Sequence, residues 1–183
     1  VFQDPPYGVS YESKTKSIVN QRKNKLSITN DELGKDALKD IVFPAFKNTA
    51  EFLKNGGVYY ICSPQGGELG LMMMMMMDAG IECRHMIVWK KDAPVFSMGR
   101  LDYDYQHEPI LYGWRGSHKH VGNGQHKTSV WDIPRPRNSK LHPTMKPVEL
   151  MVNALLNSSK EEDIVLDLFL GSGSTLIAAE KTG

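Results

Sequence analysis

Apolar positions along this chain follow two rhythms, one helical and one extended, and the switches between them predict its elements. Val1–Phe2 reads as the end of a buried strand, stopped by Pro5 and Pro6, which cannot donate to a ladder. Gly8 to Asn30 is polar, basic and rich in Ser and Asn, predicting a long loop of a kind that is usually functional or disordered. Leu38, Ile41, Val42, Ala45, Phe46, Ala50 and Leu53 recur at helical spacing and predict a helix over Asp36–Leu53. Asn55-Gly56-Gly57 stops it, and Pro44 kinks or divides it. Val58–Cys62 is continuously apolar and β-prone, as in a sheet buried on both faces.

A second helix is predicted over Glu68–Ala79, ending at Gly80. It contains Met72–Met77, flexible thioethers better suited to filling a core than to a cofactor box. Glu82–Trp89 and Glu108–Trp114 predict two further strands, whereas 115–141 shows no sustained periodicity. Pro147 fits the first position of a helix over Val148–Leu156. Ile164–Leu168 carries the strongest strand pattern and leads through a glycine turn into a helix over Thr175–Thr182. Strands alternating with helices predict an α/β domain whose mainly parallel sheet is flanked by helices.

A chain of 183 residues makes one domain, and 40% hydrophobic with 23% charged residues excludes disorder, collagen and coiled coil. The longest apolar run, Leu69–Met77, is far shorter than the roughly 20 residues that span a bilayer, and no secretion signal opens the chain. No membrane partner is expected. Cys62 and Cys83 form neither a disulfide framework nor a zinc site, so a reduced, cytoplasmic setting without metal is expected. The chain opens without Met on what reads as a strand tail. It closes at Gly183, where a βα unit would turn into its next strand, so a fragment of a longer protein, truncated at its C-terminus, is expected.

Net charge is only +1, yet two stretches concentrate the basic residues. Segment 10–25 sets Lys14, Lys16, Arg22, Lys23 and Lys25 against Glu12. Segment 113–141 sets Arg115, Lys119, Lys127, Arg135, Arg137 and Lys140 against Asp132. These are either solvated loops or a surface that meets a polyanion.

Two constellations carry chemistry. Asp167-Leu168-Phe169-Leu170-Gly171-Ser172-Gly173-Ser174-Thr175 runs from strand through glycine turn to helix, a place where α/β folds bind ligands. Free N–H groups at the helix start suit a carboxylate, and Asp167 suits an ammonium group. It lacks the glycine that a dinucleotide fingerprint needs at Leu176 and is not a P-loop, so a tight βα turn remains the plain alternative. Asp4-Pro5-Pro6-Tyr7 places a carboxylate, carbonyl acceptors without competing N–H groups and an aromatic ring in one rigid stretch. That set can hold an exocyclic amine while the ring stacks on a flat heterocycle; the plain alternative is a proline turn.

Together, D-P-P-Y and the distant D-x-F-x-G-S-G resemble the motif pair of the N6-adenine/N4-cytosine DNA amino-methyltransferases, in the order of their permuted β group. His142-Pro143-Thr144-Met145-Lys146-Pro147 resembles the H-P-T-x-K-P element of that group, and His107 to Tyr112 its H-E-P-I-L-Y segment. The resemblance covers almost the whole chain. It implies a Rossmann-like fold, S-adenosylmethionine as cofactor, and methylation of a base flipped out of double-stranded DNA by direct in-line transfer.

Carried across, Asp4 and the Pro5 carbonyl, with Pro6 holding the turn, would grip the target amine, and Tyr7 would stack on the base. Asp167, Phe169, Gly171, Ser172 and Gly173 would line the methionine half of the cofactor, with Thr144 and Lys146 closing over the same pocket. The acidic residue for the cofactor ribose would lie past Gly183. The resemblance makes 113–141 a target-recognition insert, with Lys14, Lys16, Arg22, Lys23, Arg115, Lys119, Arg135 and Arg137 as DNA contacts. It allows a cognate restriction endonuclease as partner, implies a bacterial or phage-infected cell, and says nothing of oligomeric state. D-P-P-Y favours adenine N6. N4-cytosine methylation, an inactive DNA-binding fragment, and methylation of RNA or a protein amide are the alternatives.

Overall fold

The apolar run at 58–62 becomes the strand around which the rest is layered. In a computed structural model, residues 1–7, 38–95, 102–118, 121, 127–136 and 145–183 are described. Five strands make one sheet: β1 (Phe2–Gln3), β2 (Val58–Cys62), β3 (His85–Val95), β4 (Tyr105–Trp114) and β5 (Val130–Asp132), in the order β1-β2-β4-β3-β5. All five residues of β2 are buried. Because side chains alternate along a strand, Val58, Tyr60 and Cys62 enter one core while Tyr59 and Ile61 enter the other.

Helices cover both faces. On one face lie α1 (Phe43–Phe52) and α2 (Gly67–Asp78), packing Phe46, Met72, Met75 and Met76 against Tyr59 and Ile61. On the other lie α3 (Val148–Ser158) and α4 (Ser174–Thr182), packing Leu150, Ala154 and Ala178 against Phe2 and Tyr60. Spacing by three and four buries Met72, Met75 and Met76, whereas Met73, Met74 and Met77 are exposed. A π-helical turn, Leu38–Val42, precedes α1. Pro44 falls in the first turn of α1, where a missing N–H breaks no intrahelical bond, so it divides the predicted helix near its start.

Four expectations need correction. The sheet is mixed rather than mainly parallel: β1–β2 and β3–β5 are parallel, but β2–β4 and β3–β4 are antiparallel. The link between Val95 and Tyr105 is shorter than the roughly dozen residues a parallel crossover needs, so β3 and β4 must pair as a hairpin. The expected strand Ile164–Leu168 does not join the ladder. It is extended and gives one bond, from the Phe2 N–H to the Leu166 carbonyl (3.2 Å), and Ile164 is exposed. β3 starts at His85 rather than Glu82 and runs on to Val95. β5, within the aperiodic stretch, is three residues long, too short to show alternation.

Register fixes which residues share an end of the sheet. Cys62 pairs with Ile110 and Val58 with Trp114, so Asp4, Cys62 and Glu108 lie at one end and Arg115 at the other. Gly113 sits opposite Tyr59, whose hydroxyl donates to the Glu82 carbonyl (2.5 Å). A Cβ at Gly113 would overlap both that hydroxyl and that carbonyl. Gly113→Ala is expected to destabilise the fold by about 1–3 kcal/mol through overpacking. Chemical denaturation checks this, and an unchanged midpoint would refute it.

Candidate active site

β1 is only two residues long, and its end is pinned by side chains. Gln3 is buried and donates to Thr49 Oγ1 (2.9 Å), which donates in turn to the Ala45 carbonyl of α1. The two prolines then stop the strand, leaving Asp4 projecting from its end. Two donors make three hydrogen bonds to this carboxylate. The Tyr7 hydroxyl gives 2.9 Å to Oδ1, and Lys146 Nζ gives 2.8 Å to Oδ1 and 2.9 Å to Oδ2. The Tyr7 ring lies against the same ammonium, 5.5 Å from its centroid.

Lys146, whose side chain is 8% exposed, also stands 3.3 Å from Glu108 Oε2, and Lys91 Nζ lies 2.6 Å from Glu108 Oε1. Two carboxylates and two ammonium groups thus form a buried row of alternating sign. Burial alone would lower the Lys146 pKa, but Asp4 and Glu108 outweigh it and hold it above the usual lysine range. Burial alone would raise Glu108, but Lys146 and Lys91 outweigh it and hold it low. Tyr7 is pushed up by burial and then by Asp4, and so is the thiol of Cys62. A thiol held protonated makes Cys62 a core residue, not a nucleophile.

The second corner faces the first. The extended segment 163–168 runs beside β1 through the Phe2–Leu166 bond and ends at Asp167, whose Oδ1 accepts from the Phe169 N–H (2.9 Å). Leu170 to Gly173 closes a turn with Gly173 N–H on the Leu170 carbonyl (2.9 Å). Gly171 at φ +54° and Gly173 at φ +81° take conformations that side chains disfavour. Gly173 caps α4 without a side chain to offer, so the first N–H groups of that helix are left to a ligand. A Cβ at Gly173 would meet nothing within 4 Å, so the turn is open on that side. Asp167 has its pKa raised, first by burial, against the pull of Thr175 and the Phe169 N–H; the Asp4 charge adds to the rise. The two carboxylates are therefore close enough to sense each other. The corners are also tied through Lys146, because buried Ser174 Oγ donates to the Lys146 carbonyl (3.0 Å) while its ammonium holds Asp4.

A family model described as DNA methylase, of the N6/N4 type, matches residues 1–183. The chain belongs to the N6/N4 DNA methylase family. The type II methyltransferase M.HinfI of Haemophilus influenzae is 28% identical over all of this chain, which spans 56% of that protein. M2.MboI of Moraxella bovis is 23% identical over 97% of this chain and 70% of its own length. The fold matches the crystal structure of the M1.HpyAVI–SAM complex at a TM-score of 0.66, with 22% identity over 99% of this chain and 76% of that one. It matches PvuII DNA methyltransferase, titled cytosine-N4-specific, at 0.69, with 15% identity over 99% and 70%.

Of the residues that the methylase motifs singled out, Asp4, Pro5, Pro6, Tyr7, Asp167, Phe169, Gly171, Ser172 and Gly173 come together at one end of the sheet. Lys146 joins them with its main chain against α4 and its ammonium on Asp4, rather than over the glycine turn. Arg115 does not join. Its guanidinium donates to the Glu51 (3.2 Å) and Leu53 (2.6 Å) carbonyls at the end of α1, and it lies at the opposite end of the sheet from Asp4. It caps a helix there, away from the acid corner. Arg135 follows β5 on the Asp4 side, its backbone N–H on Asp92 Oδ1 (3.1 Å). Lys14, Lys16, Arg22, Lys23, Lys119, Arg137, His142 and Thr144 lie outside the described residues. Sequence reasoning missed Glu108 and Lys91 as site residues. Glu108 was visible as the one carboxylate inside the 105–114 strand; nothing in the pattern marked Lys91.

A carboxyl held low binds fewer protons folded than unfolded, so Glu108 adds stability above the usual carboxylate range and loses it as pH falls through its lowered value. The stability gap between the native protein and Glu108→Gln is expected to be largest near neutrality and to close below about pH 4. Denaturant midpoints measured across pH check the sign; a gap that widens on acidification would overturn it.

Proposed function

We propose that this chain is the catalytic core of a DNA methyltransferase that uses S-adenosylmethionine and modifies the N6 amine of adenine. The observation that carries the reading is the meeting of the Asp4-Pro5-Pro6-Tyr7 corner and the Asp167–Gly173 turn at one end of the sheet, tied through Lys146. The residues fit this cofactor. Half-buried Asp167, its carboxylate disfavoured by burial, suits an ammonium, and the uncapped start of α4 beside an open glycine turn suits a carboxylate. When bound, S-adenosylmethionine supplies an electrophilic methyl group on a sulfonium.

An aromatic amine is a poor nucleophile because its lone pair is delocalised into the ring. Asp4 and the Pro5 carbonyl, accepting from its two N–H bonds, favour a pyramidal nitrogen and stabilise the positive charge that develops there. Tyr7 supplies a stacking face, and stacking of about 1–3 kcal/mol offsets part of the few kcal/mol needed to extrude a base. Rigid prolines hold the acceptors in place, so positioning supplies much of the acceleration. Arg135, on the Asp4 side of the sheet, and Arg137, with Lys119 and the 10–25 segment, supply phosphate contacts or base readout. With DNA as substrate, the protein works in the cytoplasm of a bacterial or phage-infected cell, and the type II names of its relatives make a cognate restriction endonuclease its natural companion.

Incubation with plasmid DNA and labelled S-adenosylmethionine, followed by nucleoside analysis, tests the reading. N6-methyladenine is the expected product. N4-methylcytosine alone would shift the base, and no methylated base would sink the activity. Asp4→Ala is expected to lower transfer by about a hundred-fold or more while leaving cofactor affinity within a few-fold; near-normal turnover would remove Asp4 from its role. Neutralising Arg135 and Arg137 together is expected to reduce the slope of log affinity against log salt by up to about 1.8, roughly 0.9 for each phosphate left without its cation. An unchanged slope would return that segment to a solvated loop.

A further inference from the structure

The Asp4 carboxylate is already engaged before any amine arrives. Oδ1 accepts from both Tyr7 and Lys146, and Oδ2 accepts from Lys146, so a target amine that takes Oδ2 must share that oxygen with the ammonium or draw Asp4 away from it. Lys146 cannot simply retreat to water, because its side chain is 8% exposed and its main chain is held by Ser174. One acceptor nearby is only loosely held. Among the described residues, buried Glu108 Oε2 has no close hydrogen-bond donor, with Lys146 Nζ 3.3 Å away as a long ion pair, while Oε1 is taken by Lys91 at 2.6 Å. A buried carboxylate oxygen without a donor is costly unless something is meant to reach it.

We infer that Glu108 is a positioning residue that receives the Lys146 ammonium when the target amine takes Asp4, an inference that rests on the methyl-transfer reading of Asp4. Closing 3.3 Å to the roughly 2.8 Å of a charge-assisted bond is a small movement of a flexible side-chain end. It moves no net charge, because the row of two carboxylates and two ammonium groups stays balanced whichever partner Lys146 holds. It also leaves no buried ion unpaired at either position, which a departure of Lys146 toward solvent would do. Lys146 therefore acts as a placeholder that keeps the Asp4 carboxylate correctly turned, and Glu108 is the berth that lets it yield.

The charged and titratable groups facing Lys146 are Asp4 and Tyr7 after β1, Cys62 at the end of β2, Lys91 on β3, Glu108 on β4, and Asp167 before α4. In the native protein two carboxylates hold the Lys146 proton far into the alkaline range. Without Glu108, burial weighs more heavily, and Lys146 loses its proton at lower pH. A neutral Lys146 grips Asp4 weakly. Tyr7 and Cys62, both pushed upward, do not titrate in the same window.

The experiment is steady-state methyl transfer from S-adenosylmethionine to plasmid DNA by the full chain, measured between about pH 7 and 9.5 for the native protein, Glu108→Gln, Lys146→Met and the double variant, with cofactor affinity measured separately. Glu108→Gln is expected to lower kcat by about ten-fold or more, with cofactor affinity within about two-fold. Glu108→Asp, which keeps the charge, is expected to restore part of the rate. In the Lys146→Met background, Glu108→Gln is expected to cost nothing further. Native kcat in Glu108→Gln, no recovery in Glu108→Asp, or losses that add to those of Lys146→Met would overturn the inference. Should Glu108→Gln fail to fold, Glu108→Gln with Lys91→Met keeps the net charge of the row and carries the same expectations. A native protein that methylates no base sinks the transfer reading itself, whereas an active native protein with an unaffected Glu108→Gln sinks only the berth.

Discussion

The buried ammonium of Lys146 is the constraint on which the site depends. It hydrogen-bonds both oxygens of Asp4, stands within ion-pair distance of Glu108, and belongs to a residue whose carbonyl is bonded by Ser174 at the start of α4. One residue therefore joins the acid corner after β1 to the glycine turn before α4. Its charge is tolerable in a site this dry because carboxylates flank it on two sides. Glu108 in turn is held low by Lys146 and Lys91. The meeting of the acid corner and the glycine turn is thus held by electrostatics, not by the short β1 ladder alone.

The mixed sheet is what brings the row together. A parallel sheet with only helical crossovers would have placed β3 beside β2. Here the β3–β4 hairpin inserts β4 between them, and the antiparallel register brings Glu108 and Lys91 to the end where β1 and β2 finish. The hairpin adds the second carboxylate and the second cation to a site that would otherwise pair Asp4 with Lys146 alone. At the far end the same strand β4 delivers Arg115 to the carbonyls of α1. The one strand therefore supplies the ion-paired row at one end and leads to a helix cap at the other.

Much of this was legible in the sequence, and the misses have physical causes. β2, α2, α3 and the glycine turn with α4 follow from apolar runs and periodicity, because β2 is wholly buried and each helix buries one face. D-P-P-Y and D-x-F-x-G-S-G could be paired on motif order alone, and their meeting in space follows from β1 running beside segment 163–168. Ile164–Leu168 read as a strand because its side chains are β-prone, but a strand is defined by ladder partners, and composition does not report those. That Arg115 meets the carbonyls of α1 was not legible, because charge density in a segment says nothing about which carbonyls a guanidinium will meet. Glu108 and Lys91 were invisible as a pair, since their encounter is a product of register, and a shift of one residue would have turned both to the other face.

The balanced row of Asp4, Lys146, Glu108 and Lys91 has a consequence for how such a sequence can drift. Removing one partner of a buried ion pair costs about 3–5 kcal/mol, a large share of the roughly 5–15 kcal/mol that holds a domain together. Single replacements that change charge at these four positions therefore carry a stability cost before activity is considered, and paired exchanges are the cheaper route. The four positions, scattered over 142 residues of chain between the first and the last, inherit changes as one unit.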